Sequence, residues 1–113
     1  MLENDQPIVI FITCQDVSEA ERISESLVQQ HLIACGNILP GVRSIFQWKG
    51  NVEHDSEVLL IAKSRRAVFH LILNEVRKLH SYETPEIIAL PIVEGLKEYL
   101  DWVAEETKTP STE

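Results

Sequence analysis

The stretch NILPGVRSIFQWKGNVEHDSEVLLIAKS, residues 37–64, decides the fold. Its first half is mostly extended. Ile45, Gln47 and Lys49 alternate with Phe46 and Trp48, the period of a strand. Pro40-Gly41 interrupts that half and marks a turn or bulge, because Gly41 can take a positive φ. Lys49, Gly50 and Asn51 suggest a reversal. EVLLIAKS, residues 57–64, is a second strand, so a long hairpin is predicted with its tip between Trp48 and Asp55.

On the N-terminal side, IVIFIT (8–13) is continuously apolar and β-branched, which predicts a strand covered on both faces or central in its sheet. Asp16 and Glu19 then fit an N-cap and capping box. Ala20, Ile23, Leu27 and Val28 recur at helical spacing, with Glu19, Glu21, Glu25 and Gln29 on the polar side, so a helix is predicted over 17–31. On the C-terminal side, Val68, Leu71, Ile72, Val76 and Leu79 form an apolar stripe interrupted by Glu75, predicting a helix from 66 to about 79. HSYETPE (80–86) is a compact polar loop around Pro85. IIALPIV (87–93) is a fourth strand, and Pro91 places it at an edge or ends it there. Leu96, Tyr99, Leu100 and Val103 mark a short helix to about 106.

The order β-α-β-β-α-β with one additional C-terminal helix belongs to the α+β class and suits a ferredoxin-like antiparallel sheet. One domain is expected over 1–113, with a core at about 8–106, a loose leader ending at Pro7 and a polar tail from 107. Both helices fall on one face, so the other is expected to stay open. Apolar area is worth roughly 25 cal/mol per Å² when buried, and partner subunits are expected to cover that face.

The chain has 113 residues, enough for one domain, with 18 acidic and 10 basic residues and a net charge of -8. That balance argues against non-specific binding to nucleic acid or an anionic membrane and is compatible with attracting cations. Cys14 and Cys35 are too few for a disulfide scaffold and form no C-x-x-C. No basic leader and no membrane-length apolar run are visible, so a cytoplasmic location is expected. GxGxxG, Walker A, HExxH and GxSxG are absent, which speaks against a classical enzyme.

The densest polar cluster is the 80–86 loop, with His80, Tyr82, Glu83 and Glu86. It is either functional or a capping loop whose His80 meets the negative end of the preceding helix. Cys35 and Cys14 are either small buried hydrophobes or soft metal ligands. Glu57 and Lys63, six apart, share one side of their strand with Leu59 and Ile61 between them. They either flank a covered interface or are ordinary strand-end charges. Trp48 either covers a pocket or fills the interface. His31, His54 and His70 lack ligand spacing and are expected at the surface.

TCQDVSEAERIS, LIACGNILPGVRSIFQWKG, EVLLIAKS, HSYETPEIIALPI and EYLDWV together resemble the CutA family of divalent-cation tolerance proteins, over about 9–103. The resemblance implies a ferredoxin-like homotrimer built like the trimeric PII signalling proteins, which binds copper or another divalent metal ion in clefts between subunits. It implies Cys35, His80 and Cys14 as metal-site candidates. It implies Trp48, Glu57, Lys63, Tyr82, Glu83 and Glu86 as cleft-lining residues. A PII-like small-ligand signalling or scaffolding trimer is the alternative, and an enzyme of unknown reaction is a further one.

Overall fold

A computed structural model describes residues 5–107. The expected leader and tail fall largely outside the described residues. The elements are β1 (Pro7–Cys14), α1 (Val17–Gln29), β2 (Cys35–Trp48), β3 (Asn51–Arg65), a 3-10 turn (Arg66–Val68), α2 (Phe69–Leu79), β4 (Ile87–Pro91) and α3 (Lys97–Glu106). The four strands form one antiparallel sheet in the order β2-β3-β1-β4, the split-βαβ topology that the element order predicts.

β1 lies inside the sheet, between β3 and β4. Its even-numbered residues Ile8, Ile10, Ile12 and Cys14 are buried. They join Leu60 and Ala62 of β3, Ala20, Ile23 and Leu27 of α1, and Ile72 and Val76 of α2 in one core. Its odd-numbered residues Val9, Phe11 and Thr13 are half-buried on the second face. The continuous apolar run therefore serves two unequal faces.

α1 starts as predicted: the Asp16 side chain accepts the Glu19 N–H at 2.8 Å. It ends earlier than the predicted residue 31. His31 takes φ 60, and the His31 and Leu32 N–H groups bond back to the Val28 and Leu27 carbonyls. This left-handed exit turns Leu32 and Ile33 into the core. Glu19, expected on the polar side, is buried instead.

The hairpin is longer than predicted. β3 begins at Asn51, opposite Trp48, and the tip is the two-residue turn Lys49-Gly50. Both residues have positive φ, 52 and 84, the type I′ geometry that matches strand twist. The bulge sits where Pro40-Gly41 places it, with the register shifting between Leu39 and Val42 and Gly41 at φ 84. Past the Cys14–Val58 pair β1 ends, and β2 and β3 continue as a two-stranded ribbon.

The second face, expected to stay open beneath a single helical layer, is instead partly covered. α3 packs against β3 and β1. Its Val103 is fully buried, and its Tyr99 hydroxyl lies 3.5 Å from the Cys35 sulfur. The Arg65 guanidinium bonds the Thr107 carbonyl, fixing the end of α3 to β3. The remainder of that face exposes Leu39, Ile88 and Leu90.

Candidate functional site

The ribbon has two faces, and the pairing tells them apart. Val42 faces Glu57, Ser44 faces Asp55, and Phe46 faces Glu53. One face therefore carries Glu53, Asp55 and Glu57 at alternate positions of β3, beside Ser44, Phe46 and Trp48 of β2. The 80–86 loop approaches this face. Together they line a groove of about 830 Å³ with Thr13, Trp48, Glu53, His54, Asp55, Glu57, Tyr82, Glu83, Thr84 and Glu86 among its walls.

Five carboxylates thus face one groove: Glu53, Asp55, Glu57, Glu83 and Glu86. Among the described residues none of them takes part in an ion pair. Like charges so close repel, and a cation would relieve that repulsion. Glu57 is nine-tenths buried, and its Oε2 accepts the Tyr82 hydroxyl at 2.7 Å. Burial, followed by this bond to Glu57, raises the Tyr82 phenol well above its usual range. Tyr82 therefore stays protonated and donates.

Behind the groove lies a second cluster. The ligating atoms of Cys14, Glu19 and His80 come within 4.8 Å of one another, all buried. His80 bonds through both ring nitrogens. The Tyr82 N–H can only donate, so Nδ1 accepts it at 3.0 Å. The proton then resides on Nε2, which donates to the Thr13 carbonyl at 2.7 Å. Glu19 accepts the Gln15 N–H on Oε1 at 2.8 Å and the Ser81 N–H on Oε2 at 2.6 Å. Burial alone would raise the Glu19 carboxyl, but the bonds from Gln15 and Ser81 outweigh it and hold the group below its usual range. The Cys14 thiol is pushed up to about 12 by burial and by the charges of Glu19, Asp16 and Glu57, so at neutral pH it is a thiol and not the thiolate that binds metal. The protein itself occupies the ligating atoms of Glu19 and His80 and keeps Cys14 protonated. As folded, the cluster fits a structural knot better than a resident metal.

The residues expected from sequence divide accordingly. Trp48, Glu57, Tyr82, Glu83 and Glu86 come together at the groove. His80 and Cys14 come together behind it. Cys35 and Lys63 do not join them within one chain. They pair with each other across β2 and β3, five β3 residues beyond Val58, roughly 17 Å along the sheet at about 3.4 Å per residue. Lys63 bonds Asn37 at 2.5 Å. The half-buried Cys35 meets Tyr99, and that bond, followed by burial, raises the Tyr99 phenol to about 12. Sequence reasoning missed Glu19, Glu53, Asp55 and His54. The alternation E-H-D-S-E in 53–57 already carried the three ribbon carboxylates once that segment is treated as a strand.

The family model for CutA1 divalent ion tolerance protein matches residues 8–106. The Divalent-cation tolerance protein CutA of Thermus thermophilus is 46% identical over 99 residues, covering 88% of this chain and 96% of the relative. The chloroplastic Protein CutA of Arabidopsis thaliana is 40% identical over 101 residues, covering 89% of this chain but 56% of that protein. The chain thus spans nearly all of the bacterial relative and just over half of the plant one. A solved structure of the Archaeoglobus fulgidus protein, described as a periplasmic divalent cation tolerance protein CutA, superposes with a TM-score of 0.87 at 43% identity. That match covers 90% of this chain and 99% of the other.

Proposed function

The chain belongs to the CutA1 divalent ion tolerance family, and on that premise we propose that it binds divalent cations, copper among them, in the groove between the ribbon and the 80–86 loop. One observation carries this reading: five carboxylates that, among the described residues, have no ion-pair partner line a single groove. Carboxylate oxygens suit hard divalent ions, and by the usual order of divalent affinities the same oxygens also hold Cu²⁺. Trp48 and Phe46 supply the apolar side of the groove. Isothermal titration with Mn²⁺ and Cu²⁺ tests the reading. A Glu57→Gln, Glu83→Gln double variant is expected to bind at least about tenfold more weakly, as losing two charged ligands implies. Unchanged affinity overturns it.

The working assembly in this proposal is a homotrimer of the PII type in the cytoplasm. It is supported by the apolar residues that one copy leaves uncovered: Ile45, Phe46, Trp48 and Val52 on the ribbon, and Leu39, Ile88 and Leu90 on the sheet. In such an assembly Cys35 and Lys63 of one copy can border the groove of another. A single copy in sedimentation at micromolar concentration overturns the trimer. Among the described residues no helix is long and apolar enough to cross a membrane.

A second reading for soft ions is favoured by the convergence of Cys14, Glu19 and His80. A Cu(I) ion there would need the thiol to lose its proton and His80 to give up a hydrogen bond. Cu(I) binding that disappears in Cys14→Ser and persists in the groove variant selects this reading.

A further inference from the structure

Glu19 is an anomaly among the acidic residues. It stands in the first turn of α1, where a carboxylate interacts well with the helix N-terminus while remaining in water. It is instead 2% exposed. Burying a carboxylate costs free energy unless hydrogen bonds replace its water. In a capping box such a residue returns to the N-cap N–H. Here Oε1 takes the Gln15 N–H, one residue before the cap, and Oε2 is left to take the Ser81 N–H at 2.6 Å. One side chain thus joins the start of α1 to a loop 62 residues later in sequence.

Ser81 stands between His80 and Tyr82, and each of these is tied elsewhere. His80 is held at Thr13, and the Tyr82 hydroxyl at Glu57. The Tyr82 N–H closes back on His80 Nδ1, with the two rings 4.7 Å apart. The Ser81 bond to Glu19 is the middle fastening. Without it the loop keeps its two outer ties and gains freedom between them, and Glu83, two residues beyond Ser81, shifts with it.

We propose that Glu19, which does not line the groove, is the positioning residue that sets the 80–86 loop so that Tyr82 and Glu83 meet the ribbon carboxylates in cation-binding geometry. The proposal rests on reading the groove as the cation site. A charged carboxylate suits the task because both oxygens accept, each from a backbone N–H, while a carboxamide offers one acceptor only.

The test is Glu19→Gln, which keeps the shape and one acceptor. Amide hydrogen exchange reads the loop independently of any cation: Ser81 and Tyr82 are expected to exchange at least about tenfold faster, with Ile10 and Leu60 unchanged. Titration with Mn²⁺ reads the site: affinity is expected to fall about three- to tenfold, and by less in a Tyr82→Phe background, because the effect passes through Tyr82. Unchanged Ser81 and Tyr82 exchange overturns the proposal, as does faster exchange with wild-type Mn²⁺ affinity. Uniformly faster exchange throughout the core also overturns it, by showing a merely structural role. If the wild-type protein binds no Mn²⁺, the groove reading fails, and the exchange measurement alone decides whether Glu19 holds the loop.

Discussion

β3 is one continuous strand under two regimes. From Val58 to Arg65 it pairs with β1, from Leu59 to Lys63 with β2 as well, and its residues alternate between buried and half-buried. From Asn51 to Ser56 every residue is exposed, and only β2 pairs with it. The first half is held by burial beneath α1 and α2. The second is held by turn geometry and cross-strand pairs, and a two-stranded ribbon is marginal alone in water. The division locates chemistry as well as stability. The body buries its polar groups and ties Glu19 and His80 to backbone partners. The ribbon keeps Glu53 and Asp55 exposed and, among the described residues, without an ion-pair partner, where a cation can reach them.

The largest expected effect tests this division directly. Ile10→Ala, which empties a fully buried site in the body, is expected to cost about 2–5 kcal/mol in urea unfolding. Ile45→Ala, at a ribbon position 66% exposed, is expected to change stability by less than about 0.5 kcal/mol when measured on the single copy. Equal losses would abolish the distinction between the two halves.

A pair of glycines sharpens it. At Gly36 an added Cβ would lie 2.7 Å from Ser24 Oγ and 3.1 Å from Leu60 Cδ1, so Gly36→Ala is expected to cost about 1–3 kcal/mol through overpacking. At Gly50 a Cβ meets nothing within 4 Å, but φ is 84. Gly50→Ala is expected to cost about 1 kcal/mol through backbone strain. Removing the space constraint by combining Gly36→Ala with Ser24→Ala should recover part of the first loss and leave the second untouched, as thermal denaturation of the variants will show.

Smaller effects come from the cap and its neighbour. Asp16→Ala removes an acceptor from the start of α1 and is expected to cost about 1 kcal/mol. Glu19 contributes a pH dependence. Its folded carboxyl lies below the ordinary value of 4.5, so its contribution is present above that value and is lost as pH falls through the depressed one. The wild-type advantage over Glu19→Gln should therefore hold from neutrality down to the ordinary carboxylate range and shrink as pH falls below it. An advantage that grows with acidification would contradict the hydrogen-bond assignment.

Much of the framework was legible in the chain. The Asp16 cap, the bulge at Pro40-Gly41 and the edge position implied by Pro91 each follow from the stereochemistry of a few neighbouring residues. The length of β3 was not legible, because NVEHDS has no apolar alternation and the strand period is silent where both faces are wet. The burial of Glu19 was hidden for a related reason. On a helical wheel it stands with the polar residues, and only the arrival of Ser81 from a distant loop provides the donor that permits it to be buried.

The sequence by itself determined the order of elements, the apolar face of each and the family, since these depend on periodicity and local motif. Tertiary structure alone decided which polar residues meet. It carried Cys35 to Lys63 and Tyr99, away from His80, and brought Glu57 to Tyr82. Those partnerships depend on strand register and on a single bulge that shifts β2 by one residue relative to β3, and no local pattern encodes what lies across a sheet.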